Sequence, residues 1–139
     1  MDYIKEKLYQ QLAIDYCCQV SDIKDDKNHF TEYEKLEGRR QFEEAADCVL
    51  KVIAVNGKLI FTGKKSIIEV CRKQFSNNSG NWFMDASNFR KLDEILMNDG
   101  YRVKTAHPFF IPKDDGVHLS LYTSPSPRDC SYLVCRLLL

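Results

Sequence analysis

The 139-residue chain has no excess of either charge sign, with 20 Lys and Arg against 20 Asp and Glu. A nucleic-acid surface or an anionic membrane face needs a basic excess, so neither partner is expected. No apolar run approaches the length that crosses a bilayer. The start, Met1-Asp-Tyr-Ile-Lys-Glu-Lys7, places charges where a signal peptide would need apolar residues. The expected location is therefore the cytoplasm. No Cys-x-x-Cys pair occurs among Cys17, Cys18, Cys48 and Cys71. Reduced thiols are the expectation, and a zinc site built from His29 and cysteines finds no support in the spacing. Also missing are a Gly-x-Gly-x-x-Gly or Walker loop, a Ser-centred nucleophile elbow and a His-Glu-x-x-His pair. No catalytic residue and no metal ligand is assigned.

What is present divides in two. From Leu121 the chain reads LYTSPSPRDCSYLVCRLLL, which has prolines alternating with serines, no helical or strand period, and a bare apolar end. At the codon level, Leu133 to Leu139 and Tyr122 to Asp129 resemble the translation of sequencing-library adapters, with a single-base slip before Tyr122. Residues 113–139 are accordingly expected to be a non-native, disordered tail, with adapter read-through from about Gly116. Without residues 116–139, which hold Arg128, Arg136 and Asp129, the balance is 18 basic to 19 acidic. Residues 1–112 are long enough for one modest domain.

Within that domain, Ile4, Leu8 and Leu12 recur every fourth residue behind Asp2, a potential cap, and predict a helix over about 3–17. Ser21 to Lys27 is polar. His29, Phe30 and Tyr33 alternate with polar residues as in a short strand, and Gln41 to Ala46 reads as a helical turn. The strongest local signal spans 48–62, where two apolar runs flank Asn56-Gly57, the preferred pair for a type I′ hairpin. Its first strand is apolar everywhere except Lys51, which predicts cover on both faces. Ser66-Ile-Ile-Glu69 fits a capping box opening a helix over 66–75. A further helix over 86–98 is capped by Asp85 or Ser87 and ends before Gly100. Tyr101, Val103 and Thr105 alternate as a half-buried strand that Pro108 should end. The fold class is α+β, a small mixed sheet with three helices.

Four residues are candidates for facing a substrate. Arg39 and Arg40 beside Gly38 offer guanidinium forks for an anion, although they also balance the neighbouring glutamates. His107 stands near a strand end, where with Trp82 and Phe83 it would line a cleft. Glu43 and Glu44 point apart in either helix or strand, and Cys48 has no base that can be placed beside it.

The segments Gln11-Leu-Ala-Ile-Asp-Tyr-Cys17, Asn28-His-Phe30, Gly38-Arg-Arg40, Ala46-Asp-Cys-Val-Leu-Lys51, Asn56-Gly-Lys-Leu-Ile-Phe-Thr-Gly63, Trp82-Phe-Met84 and Ala106-His-Pro-Phe-Phe-Ile111 together resemble the N-terminal domain of bacterial, clostridial-type proteins of the GNAT acyltransferase superfamily. The resemblance covers 1–112. It implies a parent that transfers an acetyl group from acetyl-CoA to a small-molecule amine, with a C-terminal catalytic domain following this one. The superfamily's Arg/Gln-x-x-Gly-x-Gly/Ala loop is lacking, so no cofactor is expected for this fragment and the fragment alone should be inactive. Arg39, Arg40, Trp82 and His107 would then wall the acceptor side, and one face of the strand at 48–55 would await the missing half. The alternative is a stand-alone small binding or interaction domain without enzymatic activity.

Overall fold

A computed structural model describes residues 2–39, 49–103, 105–112 and 130–138. It is α+β. The elements are α1 (Asp2–Asp15), α2 (Val20–Lys24), β1 (His29–Glu32), β2 (Leu50–Val55), β3 (Lys58–Gly63), α3 (Lys65–Phe75), α4 (Ala86–Met97), β4 (Thr105–Pro112) and β5 (Cys130–Leu138). The sheet order is β1-β3-β2-β5-β4, with β1 parallel to β3 and the other pairs antiparallel.

The hairpin forms as its dipeptide dictates. Asn56 and Gly57 take φ of 54° and 78°, the positive values a type I′ turn demands, and Val55 pairs with Lys58. All twelve residues of β2 and β3 are buried. Alternation then assigns them to two cores. Leu50, Val52, Ala54, Leu59 and Phe61 face α3 and α4, meeting Ile67, Ile68, Cys71, Phe75, Phe83, Leu92 and Leu96. Ile53, Val55 and Ile60 face α1 and α2, meeting Tyr9, Leu12, Tyr16 and Ile23. Both faces are thus covered by the chain's own helices. The expectation that one face of β2 waits for a missing half is corrected, because α1 with α2 and α3 with α4 already fill the two sides.

The α3/α4 side is aromatic. Phe61 stacks on Phe30 and Phe75 with centroids at 4.8 and 5.6 Å, and Phe83 meets Phe61 and Phe75 edge-on at 6.0 and 5.3 Å. These are the offset and T-shaped arrangements that the ring quadrupole favours.

Several local expectations shift. Helix α2 occupies part of the polar stretch Ser21–Lys27. Its sequence is too short to show a period, and the backbone N–H of Gln19 donates to the Asp22 carboxylate at 3.0 Å to open it. Helix α3 starts at Lys65 with Lys64 before it and no side-chain cap, so Ser66 lies inside the first turn and the capping box does not form. The Lys64 N–H is instead satisfied by the Val49 carbonyl at 2.9 Å. Asp85 does cap α4, accepting from the Asn88 N–H. Asn81 to Met84 forms a turn.

Pro108 does not end the last strand of the domain. β4 continues to Pro112 because it lies at the sheet edge, where a residue without an N–H is tolerated. His107 is therefore the third of eight residues and not at a strand end. Residues 130–138, expected within a disordered tail, pair as β5 between β2 and β4. The lack of alternation there is no obstacle, because pairing to the edge of β2 asks only for an extended backbone. The helical turn expected over 41–46 lies outside the described residues.

Phe61→Ala removes the ring at the centre of the aromatic cluster and should cost about 3–5 kcal/mol, measured by equilibrium urea denaturation. A loss below about 1 kcal/mol contradicts the packing described.

Candidate binding site at the hairpin end of the sheet

The N-terminal ends of β1 and β3 and the C-terminal end of β2 meet at the Asn56-Gly57 turn, and the polar side chains of the two halves of the domain collect there. Lys58, the first residue of β3, has a side chain only 3% exposed. Its ammonium donates to the Asp22 carbonyl and, at 2.8 Å, to the Asp25 carboxylate. A buried ammonium without such partners would be strongly disfavoured, so the lysine fixes the loop after α2 to the sheet. His29 Nε2 lies 2.8 Å from the other oxygen of Asp25 and, facing a carboxylate, is the donor. Burial pushes the Asp25 carboxyl up, yet hydrogen bonds from Lys58, the Lys27 backbone and His29 win and hold it well below the usual carboxylate range.

Asp22, Asp25 and His29 each offer a metal-ligating atom within 4.8 Å of one another. The Lys58 ammonium already occupies Asp25, and its charge would oppose a dication there. The cluster is a structural knot.

Asn28 is the second anchor, and nothing in its sequence context announces it. Its amide nitrogen donates to the carbonyls of Phe75, Ser76 and Asn78 at 2.9, 3.3 and 2.7 Å, and its oxygen accepts from the Leu59 N–H at 2.9 Å. One side chain thereby ties the loop after α3 to the start of β3. Gly80 extends the tie. Its N–H donates to the Gly57 carbonyl at 2.9 Å, and a Cβ there would meet the Lys58 backbone at 2.4–2.7 Å. Only glycine lets the two backbones lie this close.

Between Gly80 and the buried Phe83 the chain must turn sharply, and Trp82 absorbs the turn. It takes φ of 62° and is 89% exposed. A bulky residue in the left-handed region is an outlier that its surroundings must enforce. The indole borders an open cavity of about 360 Å³ lined by Ala54, Val55, Asn56, Gly57, Gly80 and Asn81. Asn56 is committed elsewhere, donating to Tyr9 Oη at 3.1 Å and the Ile23 carbonyl at 3.2 Å.

Of the four expected substrate-facing residues, Trp82 and Arg39 are described with their side chains, and they lie apart. Trp82 lies at the hairpin end. Arg39 lies past β1 beside Tyr33, with its guanidinium 5.9 Å from the ring, and the Tyr33 N–H bonds to Gly63 at the opposite end of β3. Arg40 lies outside the described residues. His107 is placed only by register, opposite Arg136 of β5, which in turn pairs with Ile53. Glu43, Glu44 and Cys48 are likewise outside the described residues.

Cys17, Cys18 and Cys71 are free thiols. Burial, with the Asp22 charge second, pushes Cys18 up to about 12, and burial alone does the same to Cys71. Neither forms a thiolate at neutral pH. Among the described residues no helix is long and apolar enough to cross a membrane. Compared with known proteins, the chain matches no family model, no characterised protein and no solved structure.

Because its folded pKa is depressed, Asp25 adds stability above its unfolded value of about 4, and that stability is lost as pH falls through the folded value. The stability difference between the protein and Asp25→Asn, followed by urea denaturation, should therefore shrink as pH is lowered from about 5 toward 2. A difference that stays constant over that window removes Asp25 from the knot. Cys71 should react with a neutral thiol reagent at pH 7 only after denaturant is added. Prompt labelling of Cys71 in the native protein contradicts its burial.

Proposed function

We propose that the chain is the N-terminal, acceptor-side domain of a bacterial, cytoplasmic GNAT-type N-acetyltransferase, a binding wall and not itself a reaction centre. The reading begins from the sequence resemblance across 1–112. The observation that supports it is the open corner under Trp82, which offers surface for a small molecule while the ionisable groups beside it are spent on one another. Cys18 and Cys71, protonated at neutral pH, supply no nucleophile there either.

The described residues do not fit acetyl-CoA. A pyrophosphate needs a strand-to-helix turn with several free backbone N–H groups. The β3-to-α3 turn has one glycine, Gly63, and it serves packing, because a Cβ there would fall 2.2 Å from the Val49 carbonyl oxygen. In this reading the acetyl-CoA loop belongs to a C-terminal catalytic domain, and Arg39, Arg40 and His107 would reach the amine acceptor only through surfaces that domain completes.

The second reading, a stand-alone binding domain, is favoured by one specific observation. Both faces of β2 and β3 are already filled by the chain's own helices, so the core around this hairpin is closed without a further half.

Sequencing the source DNA across codons 112 to 116 and well downstream separates the two. The proposal expects a continuing frame that contains the glycine-rich pyrophosphate loop. A native stop codon, or the same Ser-Pro tail in independently prepared DNA, gives the stand-alone domain instead.

A further inference from the structure

We infer that Trp82 and Asn81 form a stacking site for a neutral saccharide ring, whether or not the chain serves an acyltransferase. A single exposed aromatic is ordinary on a protein surface. Here three independent observations fall on the same residue. The indole is 89% exposed, although burying a tryptophan is among the largest apolar gains a chain can make. Its backbone is held at a φ of 62°, which a bulky side chain resists. The constraint that holds it is firm on both flanks, from the Gly80 N–H bonded to Gly57 on one side to Phe83 locked into the aromatic core on the other. A strained backbone kept rigid so as to present a ring to solvent is the arrangement of a binding platform.

The lining decides the ligand class. Ala54 and Val55 are buried and leave the indole as the main apolar surface, Gly57 and Gly80 bring backbone to it, and among the described residues no charged side chain lines the cavity. Phosphates, carboxylates and ammonium ions would find no counter-charge in this lining, which favours a neutral ligand. Asn81 is exposed and lines the same cavity, and among the described residues its side-chain amide makes no hydrogen bond while its backbone N–H donates to Ser79 Oγ at 3.0 Å, leaving a side-chain donor and acceptor for a ligand. A pyranose ring presents an apolar C–H face and a rim of hydroxyls that both donate and accept. It matches a flat apolar platform bordered by one amide. A planar heterocycle would gain only one stacking face from this open site, and an organic cation would gain no hydrogen bond from its apolar methyl groups.

Trp82 is the only tryptophan in the chain, so its fluorescence reports on this site alone. The full chain is titrated with maltose, cellobiose and chitobiose, and in parallel with adenosine and choline. The expected result is a saturable spectral shift with at least one disaccharide at a dissociation constant of about 1 mM, and none with adenosine or choline. Trp82→Gly and Asn81→Ala, assayed by calorimetry, should each weaken binding about tenfold or more. Trp82→Gly should at the same time leave the denaturation midpoint unchanged or raise it, since glycine adopts the positive φ without strain. A shift with adenosine or choline in place of the sugars, or no shift with any probe, overturns the assignment. So does a Trp82→Gly protein that folds and still binds sugar as the parent does.

Discussion

The fold depends on a hairpin buried on both faces whose sequence nevertheless contains two lysines. Apolar residues alone would have made β2 and β3 indifferent to which layer covers which side. Lys51 and Lys58 both fall on the α1/α2 face, at opposite ends, by the alternation that sends Phe61 and Leu59 the other way. A buried ammonium restricts what can lie against it much more than a methyl group does. Lys58 takes the Asp22 carbonyl and the Asp25 carboxylate. Lys51 lies 5.5 and 5.3 Å from the Tyr16 and Tyr33 rings, within reach of a cation–π attraction. The two charges thereby specify where α2 and the end of α1 must dock, while the opposite face is left to aromatic packing.

That division has a consequence for where function can sit. The Lys58 end is crowded with groups that satisfy each other, and its geometry is fixed by Asn28 and Gly80 as well. Rigid ends of sheets are good places to mount a binding residue, because a side chain held by its neighbours loses little freedom on meeting a ligand. Trp82 is mounted in this way. Its own contribution to the fold is slight, whereas its backbone is determined by Gly80 before it and Phe83 after it.

The hairpin, α1, α3 and α4 were legible in the sequence because each carries a period or a turn dipeptide that needs only local physics. Ile67, Ile68, Cys71 and Phe75 mark a helical stripe by their spacing alone, and Asn56-Gly57 names its own turn. What stayed hidden depends on residues far apart in the chain. Helix α2 is five residues long and is held by Ile23 in the core and by Lys58, 34 positions beyond its last residue. Asn28 looks like any loop asparagine until Phe75, Ser76 and Asn78 are brought to it. The left-handed backbone of Trp82 has no local signature at all, since the glycine that permits the close approach is two residues earlier and the contact it permits is with Lys58.

The same logic explains why Pro108 misleads. Proline is incompatible with a strand paired on both sides, but the sequence of one strand does not reveal its place in the sheet order. Among the described residues β4 pairs with β5, and β5 pairs with the outer edge of β2. An edge of unpaired backbone groups accepts an extended partner on hydrogen bonds that are indifferent to side chains. A segment such as Cys130–Leu138, apolar over most of its length, can satisfy that edge. The helices on the two faces, chosen by lysine placement and aromatic packing, carry far more information about what this domain was selected to be.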